Sequence, residues 1–426
     1  MLQIANFRRY FTGQAVSLSG SWMQSVGQAW LVVELTRSGT SLGLVVAVQT
    51  LPILVLGPYC GLVADRFDRR RLLLVTSGSS ALVALTLGLL TVTSDVRLWM
   101  IFLCAAALGS VMAVDQPARS AFVAEMVGTA DIRSAVTLIG VLVAATRVVG
   151  PAIAGVLITS IGIGFCFLVN AASYVPAIIA FATIAPDQLH RDSKGRRVRR
   201  QVRDGLRYAI RQQDLRTPLL VMAVVGTFAY EFQVVLPLVA RYAFDGSGGA
   251  YGAMTAAMGL GAVGGGLVAA GRRRSGRFSL AVSTGAFGLA LLAAAAAPAL
   301  PAELVCLMAV GALSVTFLSL AESGLQMTVR PEMRGRVMAL WSIGLLGTTP
   351  IGGPVTGFVS QHAGPRYGLA LGAAACLVAA AGAAVSASRS PAPGPQLDLD
   401  DDRDDQGTPL VGAADPAADA VPDEVS

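Results

Sequence analysis

Long apolar stretches recur along the whole chain and are separated by short polar segments. Twelve of them have roughly 17–25 residues, the length that an α-helix needs to cross a hydrocarbon layer of about 30 Å. A bilayer leaves the edge groups of an open strand unpaired, so helix is the state expected for such runs. The predicted spans one to twelve are Tyr10–Glu34, Leu42–Leu62, Leu72–Thr93, Leu98–Val114, Ala135–Ile158, Ile161–Ile184, Leu219–Ala240, Tyr251–Ala270, Leu280–Ala297, Leu304–Leu325, Val337–Val359 and Gly368–Ala387.

A long basic segment divides these spans into two groups of six. Within it, apolar residues recur every four positions between arginines, a pattern typical of an amphipathic helix on a membrane surface; they are Val198, Val202, Leu206 and Ile210. The predicted organisation is an N-terminal six-helix bundle at 1–186, a cytoplasmic basic connector at 187–216, a C-terminal six-helix bundle at 217–388 and a disordered acidic tail at 389–426. We therefore expect an all-α membrane protein with two pseudo-symmetric bundles.

The distribution of charge supports this organisation and orients the chain. Charged residues make up 14% of the chain, against roughly 25% in soluble domains. Residues 1–390 hold 31 Lys and Arg against 16 Asp and Glu, whereas residues 391–426 hold one Arg and ten acidic residues. Most arginines between spans face the same side as the N-terminus, so the positive-inside rule predicts that both termini are cytoplasmic. The outer loops then keep Arg37, Arg97, Arg241 and Arg366.

Several chemistries are not expected from the residues present. The single lysine, Lys194, belongs to no Gly-Lys-Ser/Thr phosphate loop, so no nucleotide site is expected. His190 and His362 form no metal-binding pattern, and the five cysteines lie singly in apolar runs. The arginines form no continuous basic face for nucleic acid. No cofactor, no metal and no enzymatic activity are predicted.

The loop between spans two and three reads Gly-Leu-Val-Ala-Asp-Arg-Phe-Asp-Arg-Arg-Arg-Leu-Leu from Gly61 to Leu73. It resembles the signature of the major facilitator superfamily, with Asp68 in place of a central glycine. Asp tolerates tight-turn geometry, which makes this exchange a mild one. The resemblance implies a conformational latch that holds the cytoplasmic ends of the two bundles together while the site faces outward. The latch residues would be Gly61, Asp65, Arg66, Arg69 and Arg70; a topology signal alone would need only the arginines.

Further stretches resemble the enterobactin-exporter-like branch of this superfamily, and they cover roughly residues 7–387. They are Phe7–Phe11, Ser21–Gln24, Asp115–Arg119, Phe232–Leu238 and Arg334–Met338. The resemblance implies export of a siderophore, a drug or another small molecule. Glu231 stands where that branch often has Asn.

Span five carries Gly150-Pro151-Ala152-Ile153-Ala154-Gly155, and span eleven carries the similar Gly352-Gly353-Pro354-Val355-Thr356-Gly357. The first resembles an antiporter motif, although its upstream glycines are missing. Small residues also let helices approach closely, so a helix-packing role for Gly150, Pro151 and Gly155 remains the alternative.

Ionisable side chains inside the spans are the candidates for coupling chemistry, because each costs at least ~2.5–3.5 kcal/mol to insert. They are Arg147, Glu231 and Glu322, with Asp115 and Glu34 near span ends. Glu231 lies mid-span and is the best proton-carrier candidate. Arg147 is either its counter-charge or a group that binds an anionic substrate. The glutamines Gln24, Gln28 and Gln233 are further polar contacts in the predicted central cavity.

These observations predict a monomeric secondary transporter of the inner or plasma membrane that exports a small amphipathic molecule in exchange for protons. An uptake permease coupled to protons is the alternative within transport. From another class, a non-transporting sensor that uses the connector and tail as docking surfaces remains open.

Overall fold

The computed structural model describes residues 3–185, 189, 207–209, 212–271, 278–330 and 333–389, and it contains no strand among them. Thirteen helices account for most of these residues. They are α1 Ala5–Thr36, α2 Gly39–Arg66, α3 Arg69–Val92, α4 Leu98–Ser160, α5 Ile163–Thr183, α6 Gln213–Phe228, α7 Phe232–Tyr242, α8 Gly248–Gly271, α9 Ser279–Ala295, α10 Leu300–Thr328, α11 Arg334–Leu346, α12 Thr349–His362 and α13 Pro365–Arg389. Residues 1–387 belong to one compact unit.

The described helices supply the twelve membrane crossings that the sequence predicted. Nine segments are long and apolar enough to cross a membrane by themselves, and α4 contains two of them, Leu98–Gly128 and Asp131–Ser160. The turn between these two crossings uses Gly128 at φ 69°, in the left-handed region that favours glycine. The other three crossings are the glutamine-containing α1, the 17-residue α9, and α11 together with α12.

One helix begins inside the predicted connector. Helix α6 begins at Gln213, so the last four residues of the predicted connector form the first turn of the C-terminal bundle. Most of the connector, including the expected amphipathic helix, lies outside the described residues, and so does the acidic tail beyond Arg389.

Asp68 owes its place to helix capping. Its backbone is extended, with φ −61° and ψ 115°, and its carboxylate accepts a hydrogen bond from the N–H of Arg71 at 2.9 Å. Asp68 is therefore the N-cap of α3, a position that Asp favours. The sequence-based reason for tolerating Asp there, tight-turn geometry, was wrong, because this position does not use the left-handed region.

Two crossings are broken, and the apolar pattern predicted neither break. The seventh crossing is interrupted between Phe228 and Phe232, where Glu231 has a non-helical ψ of 39°. The eleventh is interrupted at Gly347 and Thr348, and a proline in the first turn of α12 starts the second segment. The residues on both sides of the first break are apolar enough to count as one crossing, Asp214–Tyr242, so composition alone does not indicate it.

Each bundle has its own aromatic core. In the N-terminal bundle, Phe122 lies edge-on to Phe181, with ring centroids 6.0 Å apart. In the C-terminal bundle, Phe287 stacks on Phe317 at 6.3 Å and packs against Tyr230 at 5.6 Å. This packing holds Tyr230 in place beside the break in the seventh crossing.

Candidate functional site

Glu231 lies at the break between α6 and α7, facing the start of α12. Its side chain is 3% exposed, and Oε1 has no hydrogen-bond partner among the described residues. A Cβ atom built at Gly352 would lie 2.9 Å from Oε1, and one at Gly353 would lie 3.5 Å from Oε2. The carboxyl group therefore occupies space that a side chain at Gly352 would invade, while Gly353 lies at ordinary contact distance from it.

The surroundings of this carboxyl group are asymmetric. Glu231 itself is the N-cap residue of α7, and the Thr349 side chain in the first turn of α12 makes a hydrogen-bonding interaction with its carboxyl. Helix N-termini carry a partial positive charge that favours a nearby anion. Taking a carboxylate out of water without an ion-pair partner is costly. The helix N-termini therefore favour the charged carboxylate, whereas burial disfavours it. A movement of α12 would change the balance between these two effects.

Arg147 lies in the second crossing of α4, on the other bundle. Its guanidinium carbon is 4.9 Å above the ring of Trp22 in α1, and the side chain is exposed. Tyr230, beside the break in the seventh crossing, donates its hydroxyl to the Ser314 carbonyl at 2.9 Å. Among the described residues, the ion pairs join Arg69 to Glu125 and Arg119 to Asp115, not Arg147 to Glu231. In this conformation Arg147 is therefore not the counter-charge of Glu231.

The three glutamines predicted as polar contacts are placed in two groups. Gln24 is buried and accepts a hydrogen bond from Asn170 at 2.5 Å. Gln28 donates to Gln49 at 3.0 Å, and both line a small cavity together with Gln233. This cavity includes residues of both bundles. Asn170 and Gln49 were missed by sequence reasoning, because a single amide in an apolar run gives no sign of its orientation.

The pair formed by Gln24 and Asn170 allows a stability test. Asn170→Ala is expected to lower the free energy of unfolding by about 1–3 kcal/mol, because it leaves a buried amide unpaired. The measurement is thermal unfolding of the purified protein in detergent. The double variant Gln24→Leu and Asn170→Leu removes both polar groups and should recover much of the loss; a single variant as stable as the wild type would contradict the prediction.

Asp115 and Glu322 have partners close to them in sequence. Asp115 accepts two hydrogen bonds from Arg119, at 2.7 and 2.9 Å, and a third from Thr76 at 2.7 Å. Glu322 is half-buried and accepts from Gln326 on the same helix at 3.1 Å. Both carboxylates are thus engaged within their own bundle, which favours a structural role for them in this conformation.

The predicted latch residues make their described contacts inside the N-terminal bundle. Arg69 pairs with Glu125 of α4 at 2.6 Å. Arg70 donates to the carbonyls of Phe181, at 2.6 Å, and of Ala182, near the end of α5. Arg66 is exposed at the end of α2. The burial of Gly61 and the side chain of Asp65 lie outside what the structure describes. A latch between the bundles stays a prediction.

The motif of span five lies where helices approach closely. A Cβ atom at Gly150 would lie 2.6 Å from the Ser19 carbonyl oxygen of α1. A Cβ atom at Gly252 of α8 would lie 2.7 Å from both the Cα of Gly155 and the carbonyl oxygen of Pro151. Gly150, Pro151 and Gly155 therefore pack the second crossing of α4 against one helix from each bundle.

Glu303 is a buried carboxyl that sequence reasoning missed. It lies in the first turn of α10, is 0% exposed and has no hydrogen-bond partner for either oxygen among the described residues. Arg366, at the start of α13, interacts with it electrostatically. It directly precedes the predicted span Leu304–Leu325, and its signal in the sequence is an isolated acid shortly after Leu300 and Pro301.

Two bundles of six crossings are the arrangement of the major facilitator fold. A bacterial homologue of the iron transporter ferroportin, solved in an inward-facing state, is similar with a TM-score of 0.71 and 17% identity, covering 90% of this chain and 99% of that one. A bacterial homologue of the human lysosomal transporter Spinster gives a TM-score of 0.68 at 14% identity, covering 90% and 95%. At these identities the likeness shows the fold alone.

Residues 1–405 match the model of a major facilitator family described as transmembrane secretion effectors, and the chain belongs to this family. Among its relatives is the staphyloferrin A transporter of Staphylococcus aureus (strain NCTC 8325 / PS 47), 27% identical over 251 residues, which are 58% of this chain and 62% of that protein. The macrolide efflux protein A of Streptococcus pyogenes is 24% identical over 362 residues, covering 81% and 87%. The superfamily, its export branch and the twelve-helix fold predicted from the sequence are confirmed.

Proposed function

We propose that the protein is a secondary active transporter of the plasma membrane that exports a small amphipathic molecule by alternating access, driven by protons. The observation that carries this proposal is the buried carboxyl of Glu231 at a helix break, in contact with the other broken crossing. Discontinuous helices near the membrane centre hold substrate and coupling-ion sites in transporter folds. The names of two relatives, a siderophore transporter and a macrolide efflux protein, support export of a small molecule.

Contacts between the bundles support alternating access. Trp30 of α1 stacks on Tyr251 of α8, with ring centroids 6.4 Å apart. Gln361 of α12 accepts hydrogen bonds from the hydroxyls of Ser38, at 2.8 Å, and Thr40, at 3.0 Å. All five residues lie near helix ends on the side of the molecule opposite to the N-terminus of the chain. With both termini placed in the cytoplasm, as the arginine distribution predicts, these contacts close the outer side.

The proposed cycle uses rocking of the two bundles about the central site. When the outer contacts separate, Glu231 would gain access to protons from outside and the substrate would leave. When they re-form, the protonated carboxyl is carried back to the apolar environment beside α12, which favours its neutral form. Opening of the cytoplasmic side would then give it access to water, and it would release its proton to the cytoplasm as substrate binds. Energy comes from the proton gradient, and the protein acts as a monomer in the lipid bilayer.

The direction of transport is tested in everted membrane vesicles from a pump-deficient bacterial host. With a respiratory proton gradient, vesicles that contain the protein should accumulate a radiolabelled macrolide or siderophore, and a protonophore should abolish the accumulation. Vesicles from the same host without the protein are the control. Gradient-driven movement in the opposite direction would establish an uptake permease, and no movement of any compound tested would contradict transport.

A further inference from the structure

Arg147 is a cation in the middle of a membrane crossing, and its described surroundings contain no ion-pair partner. The crossing runs from Asp131 to Ser160, so the guanidinium lies near its centre. Among the described residues no carboxylate forms an ion pair with it. A charge at this depth is costly unless it faces a water-filled cavity or meets an opposite charge. Arg147 is exposed rather than enclosed by protein, which fits the first condition.

Arg147 is bordered by helices of both bundles. Trp22 of α1 lies beneath the guanidinium, and a Cβ atom at Gly259 of α8, in the C-terminal bundle, would lie 2.9 Å from the Arg147 carbonyl oxygen. A group that faces one helix of each bundle lies between the bundles and not towards lipid. The exposed surface of Arg147 therefore belongs to the central cavity.

The geometry leaves the donors of Arg147 available. The guanidinium carbon lies 4.9 Å from the centroid of the Trp22 ring, within cation–π distance, and the guanidinium makes no hydrogen bond to a described residue. A guanidinium carries five N–H donors in a planar fork. Such a fork matches the two oxygens of a carboxylate or the oxygens of a phosphate.

We propose that Arg147, which lies over Trp22 where α4 meets α8, is the binding site for an anionic group, so that the ligand is an amphipathic carboxylate whose apolar part lies against Trp22. The identification of this ligand as the transported molecule rests on the proposed function. The binding itself does not, because it requires neither a gradient nor Glu231.

The test compares two probes that differ only in charge, 4-(1-pyrenyl)butyrate and its amide. Binding is measured by energy transfer from tryptophan to pyrene with the full chain in lipid nanodiscs and no gradient. The wild type is expected to bind the butyrate about tenfold more tightly than the amide, a difference of about 1.4 kcal/mol. Arg147→Gln should remove this preference and leave the affinity for the amide unchanged. For each probe, partition into lipid is the same in the samples of the wild type and the variants.

Arg241→Gln is the matched control, because it removes one arginine from an exposed position at the end of α7; it should retain the tenfold preference. Arg147→Lys keeps the charge but not the planar fork, so its preference should fall below about threefold. This second variant carries the test if Arg147→Gln does not fold. Equal affinities of the wild type for the two probes, a preference that persists without Arg147, or no saturable binding of either probe would overturn the proposal. The binding test applies no proton gradient, so a negative result would overturn anion binding at Arg147 alone. Proton-driven export is tested separately by the vesicle assay.

Discussion

Glu231→Gln is expected to reduce proton-driven efflux to the level of membranes without the protein. Glutamine has nearly the same shape as glutamic acid, so it fits the space beside Gly352 and Gly353. It cannot bind and release a proton, and a group that stays neutral cannot couple movement to a gradient. The measurement is efflux from proteoliposomes under an imposed pH difference, together with counterflow of labelled substrate in its absence.

Counterflow separates coupling from folding and binding. The Gln variant should still exchange labelled for unlabelled substrate, because this exchange needs the central site but no net proton movement. Asp95→Asn makes the same chemical change at an exposed loop residue and should transport as the wild type does. Full gradient-driven efflux by the Gln variant would exclude Glu231 as the proton carrier.

The second large effect is expected from Gly252→Leu, at the contact between α8 and the second crossing of α4. A Cβ atom here would already lie 2.7 Å from the backbone of Gly155, so a leucine keeps the two helices apart. Overpacking of this kind costs about 1–3 kcal/mol. The penalty applies only to the state in which the outer ends are closed, and about 1.4 kcal/mol shifts a two-state ratio tenfold. Efflux should fall strongly.

The shift in conformation is measured directly by the distance between spin labels at Arg97 and Arg241, one exposed residue on each bundle. The leucine variant should move this distribution to longer distances. Gly264→Leu is the control on the same helix, because a Cβ atom there meets nothing within 4 Å. An unchanged distance distribution in Gly252→Leu would show that this contact does not govern closure.

The crossings could be predicted from the sequence because they depend on local composition. A run of apolar residues long enough to span a bilayer has one stable state, and the loop from Gly61 to Leu73 has a local signature. Glu231 could be identified as a candidate for the same reason, since an acid inside an apolar run is conspicuous. These features need no knowledge of the partner helices.

The parts that sequence reasoning missed depend on partners distant along the chain. The glycines opposite Glu231 lie more than 100 residues away, and no local feature links them to it. Asn170 faces Gln24 only because α5 packs on α1. Arg147 lies over Trp22, an arrangement that no charge pattern could indicate. Glu303 was not among the predicted site residues, and packing around the first turn of α10 encloses it.

The break in the eleventh crossing divides it into two segments that pack against different helices. Helix α12 packs extensively against α2 of the N-terminal bundle, whereas α11, on the other side of Gly347, packs against α6 of its own bundle. The two segments of one crossing are therefore held by different bundles. If the bundles separate at the outer side as proposed, we expect the crossing to bend at Gly347 and Thr348, and Thr348 lies four residues before the glycine that faces Glu231. Proton binding at Glu231 and bending of the eleventh crossing would then both accompany the same movement of α12.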